Sequence, residues 1–226
     1  MLVYGSSLSP FVRKVIAFAA EKGVELDNKI LRPGEDDPEF RVASPFKMIP
    51  GFRDGDFAIS DSSAIVAYLD AKYPEPNLIP TEPRARARTI WYDEFADTIL
   101  FGCGRKMFFN RIVLPYFQGK PGDLQVADQA ECDELPPLLD YLEGVIPPSG
   151  FLVEDRLTLA DIAVASPFVN LNHLKVIADP ARYPNITRYI AGIHARPSFA
   201  NQVARETTLL ERFAPAAAAS PSALAH

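Results

Sequence analysis

Ser9-Pro10-Phe11, Met48-Ile49-Pro50 and Asp61-Ser62 are the stretches of this chain whose residue types can do chemistry. Ser9 falls where an apolar run hands over to a helical one. A hydroxyl at that place can donate to an anion, and the aligned peptide dipoles of the helix add a favourable field. Hydrogen bonding to the charged form of an acid lowers its pKa, so a weak acid held there ionises more readily. Asp61 and Ser62 open another helix, where a carboxylate and a hydroxyl stand beside free main-chain N–H groups. Each stretch also has an ordinary explanation. Ser before Pro and Asp before Ser are usual helix caps, and X-Pro before a strand is a usual turn. It is their combination and spacing that carry information.

The elements that must position them follow from periodicity. Leu2-Val3-Tyr4 reads as a strand. Pro10 to Lys22 reads as a helix: Pro10 suits the first turn, where its missing N–H costs nothing, Val12, Val15, Ile16 and Ala19 recur at helical spacing, and Gly23 is a stop signal. Glu25 to Leu31 alternates as a second strand. Strand, helix and strand with a helix-length crossover imply a parallel pair joined right-handedly. A turn-rich acidic loop, Arg32-Pro33-Gly34-Glu35-Asp36-Asp37-Pro38, comes next. Phe52-Arg53 and Phe57-Ala58-Ile59 flank Asp54-Gly55-Asp56, which signals a hairpin. Ser62 to Lys72 reads as a helix with Ile65, Val66 and Leu69 on one face.

Pro74, Pro76, Pro80 and Pro83 then crowd a stretch that can neither continue a helix nor enter a sheet, and a domain boundary is expected there. Beyond it, 84–111, 123–144, 158–173, 186–195 and 198–212 read as helices punctuated by prolines, Pro115 among them. Thr158 caps the third of these, with Asp161 in its first turn near the positive end of the dipole. Pro215 to His226 has no apolar anchor and reads as a weakly ordered tail.

The chain is 226 residues long, enough for two domains, and its 48% apolar and 23% charged residues fit a packed globular protein. Its net charge of −6, without a basic stripe, argues against nucleic acid as a partner. No run of about 18 apolar residues signals a membrane span, and the first residues lack the pattern of a signal peptide. Cys103 and Cys132 belong to no C-x-x-C pair, so the cytoplasm is the expected compartment. His173, His194 and His226 make no metal-ligand spacing, and no metal is expected.

The phrases S-S-L-S-P-F-V-R-K-V with A-A-E-K-G, P-F-K-M-I-P, D-G-D-F-A-I and S-D-S-S-A-I-V-A-Y-L, at their mutual spacing, resemble the first domain of the cytosolic glutathione transferases. T-L-A-D-I-A and the later Y-P-N-I resemble the helical domain of the same family, so the likeness covers residues 1 to about 210. S-P-F-V is most similar to the tau class and also to the omega class, which has Cys in place of Ser9. Ser6-Ser7 is similar to the zeta class, and no class is assigned. The resemblance implies an α/β thioredoxin-like domain over 1–76 with the order β-α-β-α-β-β-α. It further implies a linker over 77–83, an all-helical domain over 84–213 and a tail over 214–226.

The resemblance also implies roles. Ser9 would donate to the thiolate of glutathione, the co-substrate, and Tyr4 is its rival, because several classes use a strand-end tyrosine. The alternative for Tyr4 is a strand residue packed in the core. Ile49-Pro50 would be a cis peptide that turns the Ile49 main chain toward the cysteinyl part of the tripeptide, and Phe11 belongs to the same glutathione-binding set. Asp61 and Ser62 would hold the γ-glutamyl end. Lys47 is the candidate for the glycine carboxylate, with Arg32 and Arg13 as rivals. Met107, Phe108 and Phe109 would line the second-substrate pocket or else lie in the core, and Cys103 is expected to be a packing residue. Arg84 and Arg88 share a helix face near the seam of an expected homodimer. The implied activity is transfer of glutathione to a small hydrophobic electrophile. A glutathione-dependent isomerase or reductase and a non-catalytic interaction module are the alternatives. Ser at position 9 weakens the reductase, because mixed-disulfide chemistry wants a protein thiol.

Overall fold

The structure, a computed structural model, describes residues 1–31 and 35–213. Arg32, part of the expected acidic loop and one of the candidates for the glycine carboxylate, lies outside the described residues, as does the tail at 214–226. The first half runs β1 (Leu2–Tyr4), α1 (Pro10–Glu21), β2 (Asp27–Lys29), α2 (Pro38–Ala43), β3 (Gly51–Asp54), β4 (Phe57–Ser60) and α3 (Ser62–Lys72). The four strands form one mixed sheet in the order β2-β1-β3-β4. β1 pairs parallel with β2 and antiparallel with β3, and β3 pairs antiparallel with β4.

Val3 and Tyr4 are fully buried, as befits a central strand covered on both faces. β2 is shorter than the expected Glu25–Leu31 because β1 offers it only three partners, from Leu2↔Asp27 to Tyr4↔Lys29. α2 forms in the segment that follows the acidic loop. Asp37 caps it through a bond from the Phe40 N–H at 2.9 Å, Pro38 occupies the first turn, and Phe40 and Ala43 are buried beneath Tyr4.

The second half is helical. α4 (Pro83–Glu94) continues through a π-helical stretch, Phe95–Leu100, into α5 (Phe101–Phe108), and then through a second, Phe109–Phe117. The helix therefore runs past the expected end near residue 111 and through Pro115. In the wider π turns the missing proline N–H costs one late bond instead of ending the helix. α6 (Leu124–Gln129), a π turn at Ala130–Glu134 and α7 (Leu135–Val145) follow, then α8 (Leu159–His173), α9 (Pro184–His194) and α10 (Pro197–Phe213).

α8 is buried from Leu159 through Leu171, which explains why it shows no polar face. The Asp161 carboxylate fastens its start by accepting from the Thr158 N–H at 2.9 Å and the Leu152 N–H at 2.8 Å. Burial raises the Asp161 pKa to about 6 despite those bonds. Among the described residues no helix is long and apolar enough to cross a membrane.

The halves are joined by polar contacts. Ser166 on α8 donates to the Pro10 carbonyl at 2.8 Å in a buried site, and Arg196 pairs through two nitrogens with Glu21 at 2.7 Å each. Within the first half, Lys22 donates to the Tyr73 and Pro76 carbonyls. Phe11 packs edge-on against Phe101, with ring centroids 4.5 Å apart.

Candidate functional site

Strand register gathers the three chemical stretches. Tyr4 stands opposite Gly51, and Gly51 opposite Ser60. The segments leaving β1, entering β3 and leaving β4 therefore meet at one edge of the sheet. They carry Gly5 to Ser9, Ile49-Pro50 and Asp61-Ser62 respectively. Gly5 makes the crossing possible. Its φ is +126°, and a Cβ there would lie 2.8 Å from Val12 Cγ2 and 2.9 Å from Ile49 Cβ. Ile49-Pro50 is cis, as the resemblance implied.

Ser9 departs from the ordinary capping serine. It stands at the N-cap of α1 with extended backbone, φ −75° and ψ 124°, yet its side chain makes no capping bond. Ser9 is half-buried and lines a cavity of about 540 Å³, with Ile49 on the same wall. Neither the Ser9 hydroxyl nor the Ile49 main chain has a hydrogen-bond partner among the described residues. Asp61, by contrast, does cap: its Oδ1 accepts from the Ala64 N–H at 2.9 Å, with φ at +79°. Its side chain is exposed.

Ser62 is buried and donates to Asp97 at 3.4 Å, which joins it to an ionic cluster that sequence reading missed. Buried Lys14 on α1 reaches Asp93 at 2.7 Å, Asp97 at 2.5 Å and the Ser63 hydroxyl at 3.1 Å. One cation between two carboxylates leaves an excess negative charge. Burial, joined by the Asp93 charge, raises the Asp97 pKa to about 6 against the pull of Lys14. The cluster fixes the start of α3 against α1, α4 and the π-helical stretch that continues α4.

A second buried network holds the segment before Ser9. Asn170 on α8 donates to the Leu8 carbonyl at 2.9 Å, and its Oδ1 accepts from Arg13 Nη1 at 2.9 Å. Arg13 also donates to the Ser166 carbonyl at 2.6 Å and pairs with Glu206 on α10 at 2.7 and 3.0 Å. Burial alone would raise the Glu206 pKa, but Arg13 and His173 outweigh it and hold the carboxyl below its ordinary value. Arg13 is thus corrected as a candidate for the glycine carboxylate: it is fully buried and spent on Glu206. Lys47 is exposed, at φ +58°, on a turn pinned by Ser44, whose hydroxyl donates to the Met48 carbonyl at 2.7 Å and accepts from its N–H at 2.9 Å.

The remaining candidates divide by side-chain direction. Phe108 and Phe109 stand on the cavity wall, joined by Phe101, Phe117 and Leu209. Met107 is corrected: it is fully buried in the main core, since one residue along a helix turns the side chain by about 100°. Phe11 braces α1 against Phe101 and is absent from the wall. Tyr4 packs against Phe40 and donates to Glu39 at 3.3 Å, away from the cavity, with its pKa raised chiefly by burial. Cys103 is buried, donates to the Ala130 carbonyl at 3.5 Å, and has its pKa pushed up to about 11 by burial, as suits a packing thiol.

The family described as "Glutathione S-transferase, N-terminal domain" matches residues 3–77, and "Glutathione S-transferase, C-terminal domain" matches residues 110–205. A glutathione S-transferase of Hyoscyamus muticus is 28% identical over 208 residues, which cover 90% of this chain and 97% of its own length. Glutathione S-transferase D7 of Drosophila melanogaster is 30% identical over 193 residues, covering 83% of this chain and 81% of its own. Among solved structures, a glutathione S-transferase from Rhodospirillum rubrum F11 shares the fold with a TM-score of 0.81 at 24% identity, over 89% of this chain and 90% of that one. The chain belongs to the glutathione S-transferase family, enzymes that transfer glutathione.

Proposed function

We propose that Ser9 stabilises the glutathione thiolate for attack on a small hydrophobic electrophile bound in the 540 Å³ cavity. The observation that carries this reading is the Ser9 hydroxyl, which stands on the cavity wall at the start of a helix and makes no capping bond. A thiol has a reference pKa of about 8.5, so little of it is thiolate at neutral pH. A hydroxyl donor and the helix field both favour the anion. The sulfur then forms a bond to the electrophilic carbon, and the leaving group departs with its electron pair. Ser9 keeps its proton throughout and forms no covalent bond.

The rest of the tripeptide has its partners nearby in this reading. The Ile49 main-chain N–H and C=O pair with the cysteinyl unit, as an added strand would. The second carboxylate oxygen of Asp61 attracts the γ-glutamyl ammonium. The main-chain N–H groups at the start of α3, with Ser62, receive its carboxylate. Exposed Lys47 takes the glycine carboxylate. Cytoplasmic work is part of the proposal, supported by two free thiols, one buried and one exposed. So is a homodimer. Phe46 is 87% exposed and Met48 68% on the segment that leads into the site, and Arg84 and Arg88 are exposed on α4; an apolar and charged surface of this kind suits a second copy.

Replacing Ser9 by Ala tests the central claim. Loss of one hydrogen bond to an anion costs about 1.5–3 kcal/mol, which is roughly one to two pKa units on the bound thiol. Turnover at pH 7 should fall about ten- to a hundredfold, the rate–pH profile should shift upward by the same one to two units, and glutathione affinity should change little. An unshifted profile with full turnover sinks the assignment.

A further inference from the structure

The cavity wall is apolar apart from Ser6, Ser9 and Asn170 and, among the described residues, one charged side chain, Arg105. Arg105 stands on α5, four residues after Phe101 and four before Phe109, at the spacing that puts all three on one helix face. Its guanidinium carbon lies 5.8 Å from the Phe109 ring centroid. The side chain is exposed, and no carboxylate among the described residues pairs with it. Its neighbours are treated differently. Lys106 holds Glu134 at 2.6 Å, and Arg111 holds Asp128 at 2.7 Å together with Glu131. Arg105 is thus a cation on this wall with no carboxylate partner among the described residues.

A guanidinium resting on an aromatic face is oriented by the ring, and its two-pronged set of N–H donors matches the two oxygens of a carboxylate. The apolar wall beside it takes a hydrocarbon body. We propose that the cavity selects aryl carboxylates, with the ring among Phe101, Phe108 and Phe109 and the carboxylate on Arg105. This rests on the reading of the cavity as the acceptor pocket for its catalytic meaning, but the selectivity itself can be measured without turnover.

The decisive experiment compares binding of an unreactive, near-isosteric pair, biphenyl-4-carboxylate and biphenyl-4-carboxamide, to the full chain by calorimetry at pH 7.5. The carboxylate should bind about two- to fivefold more tightly than the amide, in keeping with an exposed guanidinium pair. That preference should disappear in Arg105→Gln, survive in part in Arg105→Lys, and shrink as salt is raised. Because Arg105 is exposed, both variants should unfold at the same denaturant concentration as the parent. Equal affinity for the pair in the parent, absence of carboxylate binding, or a preference that survives Arg105→Gln overturns the proposal. A parallel assay with glutathione and 4-chloro-3-nitrobenzoate, in which the carbon–sulfur bond forms as chloride leaves, separates the two readings. If the acid is preferred in binding and no conjugate forms, the reading of the cavity as the acceptor pocket fails and the Arg105 assignment stands.

Discussion

The side-chain amide of Asn170 donates to the Leu8 carbonyl at 2.9 Å, so a helix of the second half fixes the residue that precedes Ser9. The same side chain accepts from Arg13, which in turn is held by Glu206 on α10. Placement of the Ser9 hydroxyl is therefore a property of both halves. Asn170→Ala removes the donor and leaves an Arg13 N–H without its acceptor in a buried site, at a cost of about 1–3 kcal/mol. Chemical denaturation should register that loss. Turnover should fall by about tenfold, because a misplacement on the order of 1 Å is enough to spoil alignment. Full turnover in a destabilised variant would show that Ser9 is placed without help from α8.

His194 predicts the acid limb of stability. Its half-buried ring stacks on Phe199 of α10, its Nε2 lies 2.9 Å from the Ala165 carbonyl of α8, and desolvation lowers its pKa to about 4. The unfolded value is near 6.5, so the fold favours the neutral ring. A group whose proton affinity falls on folding contributes stability that is complete above the unfolded pKa and is lost as pH drops toward the folded one. Unfolding free energy should therefore decline between pH 6.5 and 4, by no more than about 3 kcal/mol from this group. His194→Gln, which keeps a donor for Ala165, should flatten the decline over that window. Urea titrations at pH 7 and 5 on both proteins measure it, and identical slopes would assign the acid sensitivity to other groups.

What sequence could and could not show follows from the range of the interactions. The hairpin, the helix Ser62–Lys72 and the helix start at Thr158, with Asp161 in its first turn, are set by neighbours, and local pattern finds them. The meeting of the three chemical stretches follows once strand order is known, because register brings Gly51 between Tyr4 and Ser60. The role of Arg13 escapes local pattern because its partner, Glu206, is 193 residues away, and nothing on α1 announces it. Lys14 was missed for the same reason: Asp93 and Asp97 lie 79 and 83 residues further on. Met107 and Phe108 are adjacent in sequence but part company in space, and an apolar run on a helix does not by itself say which of its members faces the core.

Two glycines near the site respond oppositely to one substitution. Gly104 lies mid-helix in α5 on the cavity wall, and a Cβ there would have nothing within 4 Å. Gly104→Ala removes the entropic penalty of glycine in a helix and should raise stability by about 0.5–1 kcal/mol, with only a slight narrowing of the cavity. Gly5 has φ at +126°, where side chains are strained, and its Cβ would press on Val12 and Ile49 within 3 Å. Gly5→Ala must push Ile49 outward or shift the end of β1, at a cost of about 1–3 kcal/mol from backbone strain, with the clash added. Because Ile49 is the proposed main-chain partner of the cysteinyl unit, the Michaelis constant for glutathione should rise in Gly5→Ala as stability falls. In Gly104→Ala it should hold steady as stability rises. Thermal unfolding and glutathione saturation curves on the two variants give both readouts. A Gly5→Ala protein that is destabilised yet saturates with glutathione like the parent would remove Ile49 from the binding site and leave the glycine a purely structural role.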